Sequence, residues 1–306
     1  MSSAATPHAP WQVGLFARPH QVPTGRWQDI LHVARVADEL GFHSIHFGDH
    51  LVIGPDTDRY PYGEFRHEPD VPWPDPITTL ASVAAVTTRL RLGTSVLLLP
   101  MRNAISVAKS VATLDALSGG RVDLGVGVGW QAADFAAAGV GWNERHDRFD
   151  ESIRACRAIW GEQPVSFSGR WLELDQVYVF PRPVQDRLPL MYGVAMTEAN
   201  AEHIAAWGDG WCPVGLSNEQ LASGIDLLRR TCESLGRDPA SMTIRTRPEQ
   251  IVDAAGRIDL VRAVEAARVQ RELGVNLTTI GPLAGYSSLP ELEDALNTLA
   301  QLTRTA

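Results

Sequence analysis

An adjacent carboxylate and imidazole, Asp49 and His50, are the residues of this sequence best suited to moving a proton. They directly follow a short run, 44–47, that reads as a β-strand. An imidazole exchanges a proton near neutral pH, and a neighbouring carboxylate orients it or favours its charged form. We therefore predict an acid–base pair in which Asp49 holds His50. The structural alternative is that Asp49 caps a turn and His50 packs beneath the next loop.

Two further histidines, His43 and His46, precede His50 and raise the question of a metal site. Residues three apart on a strand point to opposite faces, so these two side chains do not converge on one ion. The stretch also lacks an H-x-H spacing at a strand end. We predict no metal, with both histidines packed inside the fold or at its rim.

A glycine-rich strand is the second candidate for a ligand site. Residues 89–130 read as strand, helix and strand, and the last strand sets Gly125, Gly127 and Gly129 on one face. Bare glycine at the carboxyl end of a βαβ unit leaves room for a flat ring or for close barrel packing. Trp130 follows, either as a wall of the pocket or as a core residue.

The same glycines, with Ala132, also match the dinucleotide fingerprint G-x-G-x-x-A. A Rossmann fold would need a second strand ending in an acidic residue about twenty residues later. Residues 145–160 instead have helical periodicity, which argues against dinucleotide binding.

A strand-to-helix junction at 193–197 offers a second kind of ligand contact. Free N–H groups at a helix amino terminus bind phosphate, and the segment contains Gly193, Ala195 and Met196 before Thr197. Thr197 is also a good N-cap, so its hydroxyl either serves an anion or satisfies its own helix. The sequence leaves both interpretations open.

Composition limits the class of protein. The 306 residues are 44% hydrophobic and 21% charged, which is typical of a globular protein. A formal net charge of −9 without a basic run argues against nucleic acid and anionic membrane as partners. Three scattered cysteines indicate a reducing compartment, for which we expect the cytoplasm. We interpret 1–11 as a disordered tail rather than a signal peptide, and no apolar run reaches membrane-spanning length.

Alternating strand and helix patterns cover the rest of the chain. Eight strand–helix pairs are predicted over 12–306, interrupted by a hairpin near 164–187. Eight such repeats in this length favour a single closed (β/α)₈ TIM barrel, an α/β fold, over an open sheet. The proline-rich stretch 51–75 has no periodicity, and a loop of this length is typical of a lid over a site.

Several of these motifs together resemble the luciferase-like monooxygenase superfamily, and most closely its branch that uses the deazaflavin coenzyme F420. The resemblance is carried by G-T-S-V-L-L-L-P-M-R-N at 93–103 and by A-K-S-V-A-T-L-D-A-L-S-G-G-R-V-D-L-G-V-G-V-G-W at 108–130. G-F-H-S-I-H-F-G-D-H at 41–50 and G-D-G-W at 208–211 support it. It covers roughly residues 12–240 and implies a barrel with a flavin or deazaflavin at its carboxyl-end mouth.

The resemblance also implies roles for particular residues. Asp49 and His50 would lie beside the coenzyme, with His50 acting on the substrate. The Ser95-Val96 peptide would be cis and form a bulge against the cofactor ring. The implied cofactor-binding set is Asp49, Ser95, Val96, Gly127, Gly129, Trp130, Gly193, Ala195, Met196 and Thr197.

The chain departs from the family pattern at two positions. Relatives often carry Glu-Phe where this chain has Asp134-Phe135, and Gly-Gly where it has Gly193-Val194. The motif E-R-x-x-x-x-x-E is present, with Arg145 and Glu151, although such charges are equally typical of ion pairs on a solvated helix. Arg102 and Arg145 are the local positive charges expected to offset an anionic cofactor.

The resulting expectation is an F420-dependent oxidoreductase that transfers hydride between the deazaflavin and a small organic substrate. One alternative is an FMN-dependent two-component monooxygenase of the same fold, supplied by a flavin reductase. Another is a non-catalytic barrel that binds a flavin. We expect a homodimer in each case.

Overall fold

A computed structural model of the chain describes residues 11–61, 65 and 69–304. The predicted tail therefore lies outside the described residues except for Trp11, as does part of the predicted lid, 62–64 and 66–68. The described strands are β1 (Gln12–Phe16), β2 (Ser44–Phe47), β3 (Arg91–Thr94), β4 (Leu97–Leu98), β5 (Val122–Gly127), β6 (Val165–Ser168), β7 (Glu173–Val177), β8 (Leu190–Gly193), β9 (Gly210–Trp211), β10 (Thr243–Thr246) and β11 (Leu277–Ile280).

All strands except β6 and β7 belong to one parallel sheet that closes on itself. The order is β3-β2-β1-β11-β10-β9-β8-β5-β4, and a further pairing of β3 with β5 completes the ring. Since β3 and β4 are two halves of one strand, separated by Ser95 and Val96, the described residues supply eight barrel strands. The predicted (β/α)₈ barrel is confirmed. The peptide bond between Ser95 and Val96 is cis, as the resemblance implies.

Helices surround this barrel and alternate with its strands. They are α1 (Ile30–Leu40), α2 (Pro76–Ala84), α3 (Ala104–Ser118), α4 (Ala132–Ala137), α5 (Arg145–Trp160), α6 (Glu198–Trp207), α7 (Asn218–Ser234), α8 (Leu260–Glu272) and α9 (Leu289–Arg304). Local signals set their ends: Asn103 caps α3 through its side chain, and Gly119 ends that helix in the left-handed conformation. No helix within the described ranges is both long and apolar enough to cross a membrane.

The interior of the barrel is polar near its centre. His46 is fully buried, its Nε2 lies 2.7 Å from the Ser44 hydroxyl, and its Nδ1 accepts a hydrogen bond from Arg245 at 2.8 Å. Arg245 also donates to the carbonyl oxygen of Thr94 at 2.9 Å. Burial, followed by the charge of Arg245, holds the pKa of His46 well below its usual value. His46 is therefore a packed, neutral histidine, one of the two positions the sequence allowed.

Glycines of the neighbouring strands make room for this interior group. A Cβ atom on Gly93 would lie 2.0 Å from His46, and one on Gly125 would lie 2.5 Å from Arg245. Neither distance is compatible with a side chain. Gly125 thus serves the packing of the barrel, which is the second of the two roles predicted for the glycines of β5.

The inserted hairpin, β6 with β7, forms a separate antiparallel pair and is confirmed. Glu151 of α5 fastens it, because its carboxylate accepts hydrogen bonds from the backbone N–H groups of Arg170 at 2.7 Å and Trp171 at 2.8 Å. Glu151 is 5% exposed. The interpretation of this residue as part of a solvated surface ion pair is therefore wrong.

Candidate active site

A large cavity opens at the carboxyl ends of the barrel strands. Its volume is about 1290 Å³. Of the residues predicted from the sequence, the cavity is lined by Asp49, His50, Ser95, Val96, Gly127, Gly129, Trp130, Gly193 and Ala195. Met196 packs against the hydrophobic core, and the hydroxyl of Thr197 accepts a hydrogen bond from Asn200 N at 3.1 Å. Thr197 thus caps its own helix, and neither residue lines the cavity.

His50 is held by Asp134, a residue that follows a different strand. His50 Nδ1 lies 2.7 Å from Asp134 Oδ2, and Asp134 Oδ1 accepts the backbone N–H groups of Leu51 and Val52 at 2.9 Å each. Asp134 is 1% exposed. Because the carboxylate accepts from Nδ1, Nε2 is the ring nitrogen left to exchange a proton with a ligand.

Asp49 does not hold His50, and that prediction is wrong. Its carboxylate instead forms a bidentate ion pair with Arg102, at 2.8 and 3.2 Å, and accepts Leu98 N at 2.9 Å. The reason is geometric, since successive residues of an extended chain project in opposite directions. The adjacent residues Asp49 and His50 consequently have different partners.

Arg102 is correspondingly not a free positive charge. Its guanidinium pairs with Asp75 at 3.0 Å as well as with Asp49. Burial opposes its charge, but the bonds to Asp49 outweigh that effect and raise the pKa of Arg102. The expectation that Arg102 would offset an anionic cofactor is therefore wrong. Arg145 lines the cavity, with its guanidinium 3.9 Å from the centre of the Trp142 ring.

Aromatic rings surround His50. The ring of Trp73 lies 4.8 Å from the imidazole, that of Trp130 5.8 Å and that of Phe65 6.4 Å, each nearly perpendicular to it. Tyr60 contacts both Phe65 and Trp130. Except for Trp130, these rings belong to the predicted lid, 51–75, so its described part does contribute to the cavity wall.

The cis peptide places Val96 between two glycines. A Cβ atom on Gly127 would lie 2.5 Å from one methyl group of Val96, and one on Gly193 would lie 2.7 Å from the other. These glycines therefore make room for the Val96 bulge. They shape the space for a ligand only by allowing that bulge to form. The closed barrel also excludes the Rossmann interpretation of the glycine series.

Arg18 and Arg247 are among the cavity residues that sequence analysis missed. Arg18 follows β1 and Arg247 follows β10, and both guanidinium groups lie over the ring of Phe16, at 5.0 and 4.4 Å. A readable signal was present, because each strand is followed within two residues by an Arg-Pro dipeptide. Among the described residues, no group of three or more His, Cys, Asp or Glu side chains is arranged to hold a metal ion.

Comparison with known proteins places this site in context. A family model described as luciferase-like monooxygenase matches residues 11–273. An uncharacterised protein of Mycobacterium tuberculosis is 32% identical over 224 residues, which are 70% of this chain and 78% of that protein. A protein of Amycolatopsis mediterranei named F420-dependent glucose-6-phosphate dehydrogenase is 31% identical over 224 residues, 69% of this chain and 63% of that protein.

Solved structures share the fold. Monooxygenase RslO1 from Streptomyces bottropensis superposes with a TM-score of 0.78 at 24% identity, over 96% of this chain and 100% of that one. An F420-dependent secondary alcohol dehydrogenase, in complex with an F420-acetone adduct, has a TM-score of 0.74 at 20% identity, over 97% and 100% of the two chains. At these identities the superpositions show the barrel and no more.

Proposed function

The chain belongs to the luciferase-like monooxygenase family, and from this membership we propose that it is an oxidoreductase that uses coenzyme F420 to transfer hydride to or from an organic substrate. Membership of this family identifies the chain as an enzyme with a flavin or deazaflavin cofactor. The choice of the deazaflavin is supported by the relative named as F420-dependent and by the motifs at 93–103 and 108–130.

The observation that carries the proposal is the fixed imidazole at the mouth. His50 is anchored through Nδ1 by the buried carboxylate of Asp134, and it lines the same cavity as the cis bulge at Val96. A positioned imidazole that retains one free nitrogen can give a proton to a substrate oxygen or take one from it. We assign this role to His50 Nε2, with Asp134 as its positioning residue.

The cavity fits the proposed cofactor. Pockets for drug-sized ligands measure ~300–1,000 Å³, so a cavity of about 1290 Å³ has room for a tricyclic ring and a substrate together. Val96 would contact the ring, and Gly127 and Gly193 would make room for Val96. Arg145 and the backbone at Ala195 would face its phosphate. When bound, the deazaflavin supplies or accepts a hydride at carbon 5.

Titration of the protein with the two oxidised cofactors tests the proposal. Each cofactor changes its visible spectrum on binding, so dissociation constants for F420 and FMN can be compared directly. We expect F420 to bind more tightly. The variant His50→Ala is a matched control, because its cofactor affinity should change little while its turnover falls.

The competing functions give different results. Tighter binding of FMN, with oxygen consumption when a flavin reductase supplies reduced FMN, would identify the two-component monooxygenase. Binding of either cofactor without turnover across a panel of electron acceptors would identify the non-catalytic barrel. Either result would overturn the proposal.

A further inference from the structure

Arg18 and Arg247 of the cavity wall lack a counter-charge in the described part of the structure. Among the described residues, no carboxylate forms an ion pair with Arg18 or Arg247, although both line the cavity. The next acidic side chain along the chain, Glu249, is exposed and also lines the cavity, but it pairs with neither within the described part of the structure. Arg102, by contrast, is compensated by Asp49 and Asp75.

Both arginines are half-buried, which makes this arrangement costly for the protein alone. Burial, followed by the charge of Arg247, lowers the pKa of Arg18 to about 10. Burial and the charge of Arg245 also lower the pKa of Arg247. Charged groups removed from water are ordinarily paired, and an unpaired cluster in a cleft is typical of a ligand site.

Hydrogen-bond donors without acceptors lie at the same place. Arg18 Nε and Gln250 Nε2 are buried and have no hydrogen-bond partner in the described structure, and both side chains line the cavity. A guanidinium has only donors to offer. A ligand group that satisfies these atoms must therefore accept several hydrogen bonds and carry negative charge, as a carboxylate does.

The arginines lie away from the predicted phosphate contacts. In the barrel order β1-β11-β10-β9-β8, Arg18 and Arg247 follow β1 and β10, whereas Ala195 follows β8. They lie instead near the aromatic wall, since the guanidinium of Arg18 is 5.6 Å from the centre of the Trp73 ring. Trp73 in turn contacts His50, so a flat molecule would extend from the arginines to the imidazole along aromatic surfaces.

We propose that Arg18, Arg247 and Gln250 form the subsite for an anionic group of the substrate, and that the substrate is an aromatic carboxylate. This inference rests on the proposed function, because it assigns the cofactor to another part of the cavity. The anion is fixed by charge-assisted hydrogen bonds at β1 and β10. The reacting carbon is thereby held near His50, which also contacts the Trp73 ring.

Binding of two matched aromatic probes tests the proposal. The probes are 2-naphthoate and its neutral isostere 2-naphthamide, measured by calorimetry on the protein saturated with oxidised F420. We expect 2-naphthoate to bind at least about tenfold more tightly than 2-naphthamide. Arg18→Gln and Arg247→Gln should each weaken 2-naphthoate by about 10- to 100-fold and 2-naphthamide by less than about twofold.

Controls separate this role from a structural one. Arg229→Gln removes an exposed arginine of α7 that pairs with Asp226 and Glu233, and it should leave both probes unchanged. Arg247→Lys keeps the charge and should recover part of the affinity for 2-naphthoate. If a glutamine variant fails to fold, this lysine variant still reports on the charge, because an affinity for 2-naphthoate no better than for 2-naphthamide would refute the subsite.

Three results would overturn the proposal. One is equal affinity of the wild type for the two probes, including no binding of either. Another is equal weakening of both probes by the glutamine variants. The third is a loss of F420 affinity in those variants, which would assign the arginines to the cofactor. Failure of the proposed function is distinguishable, since it appears as absent or weaker F420 binding by the wild type, and the probes are then measured with FMN or with the protein alone.

Discussion

The bond between Asp134 and His50 gives the sharpest test of the candidate mechanism. Replacing Asp134 with Asn preserves the shape of the side chain and one oxygen to accept the N–H groups of Leu51 and Val52. It removes the negative charge 2.7 Å from His50 Nδ1. The new amide also donates to that nitrogen, which forces the imidazole into the other tautomer.

The size of the effect follows from the strength of the bond. A hydrogen bond to a charged group contributes about 1.5–3 kcal/mol, which corresponds to roughly 10- to 150-fold in rate if the charge is needed in the transition state. His50→Ala removes the acid–base group altogether and should cost about 10²–10⁴-fold. We therefore expect single-turnover hydride transfer to slow by about 10- to 100-fold in Asp134→Asn, with cofactor affinity nearly unchanged.

A double-mutant cycle decides whether Asp134 acts through His50. In the His50→Ala background, Asp134→Asn should slow the reaction by less than about twofold, because the group it positions is already absent. Asp49→Asn is the matched control, since Asp49 is a buried carboxylate next in sequence that bonds to Arg102 instead. Its effect should multiply with that of His50→Ala. Near-normal turnover in Asp134→Asn, or equal slowing in both backgrounds, would refute the positioning role.

Three further outcomes follow from the geometry. Gly127→Ala brings a Cβ atom within 2.5 Å of Val96, so we expect the free energy of unfolding to fall by about 1–3 kcal/mol and cofactor binding to weaken. Val96→Ala in the same protein should restore part of the stability, measured by chemical denaturation, and part of the affinity, measured by titration. Glu151→Gln weakens the two backbone bonds that fasten the hairpin, so limited proteolysis should cleave residues 165–177 faster while cofactor affinity stays constant. Because the pKa of His46 is lowered in the folded barrel, the unfolded chain binds its proton first as the pH falls below about 6.5. Stability should then decrease by up to about 1.4 kcal/mol per pH unit from this group, and His46→Asn should reduce that slope in denaturation series between about pH 5 and 7.

The fold was accessible from the sequence because its signals are local. Apolar periodicity and helix-ending glycines such as Gly41 and Gly119 mark the strand–helix alternation. Errors occurred at element ends. Apolar spacing ended by Gly41 predicts a helix over 27–40, but its first residues, Trp27–Asp29, form a 3₁₀ turn. The pattern that begins at Pro76 predicts a helix over 76–88, but the helix ends at Ala84. The apolar run 92–99 predicts a continuous first strand for the 89–130 unit, but the cis bulge interrupts that strand.

The site was less predictable because its partnerships are not local. His50 and Asp134 are 84 residues apart, and periodicity carries no information about which residue of a loop reaches a given side chain. Proximity in sequence favoured Asp49 instead, and the family pattern, which has Glu at position 134, does not identify Asp134 as the partner. Arg18 and Arg247 were missed for a related reason. Neither residue indicates a site by itself, and only the closed barrel brings both guanidinium groups over the ring of Phe16.

The interruption of the third barrel strand has a consequence for how the mouth is closed. Below the bulge, β3 pairs with β2 on one side and with β5 on the other. Above the bulge, β4 pairs only with β5 among the described strands, and the carboxylate of Asp49 accepts the N–H group of Leu98. A side-chain hydrogen bond thus replaces the last backbone hydrogen bond between the second and third strands of the barrel. At this end of the barrel the two strands are therefore held together by Asp49 and its ion pair with Arg102. We expect a substitution at Asp49 to loosen the strand ends while the sheet below the bulge remains intact.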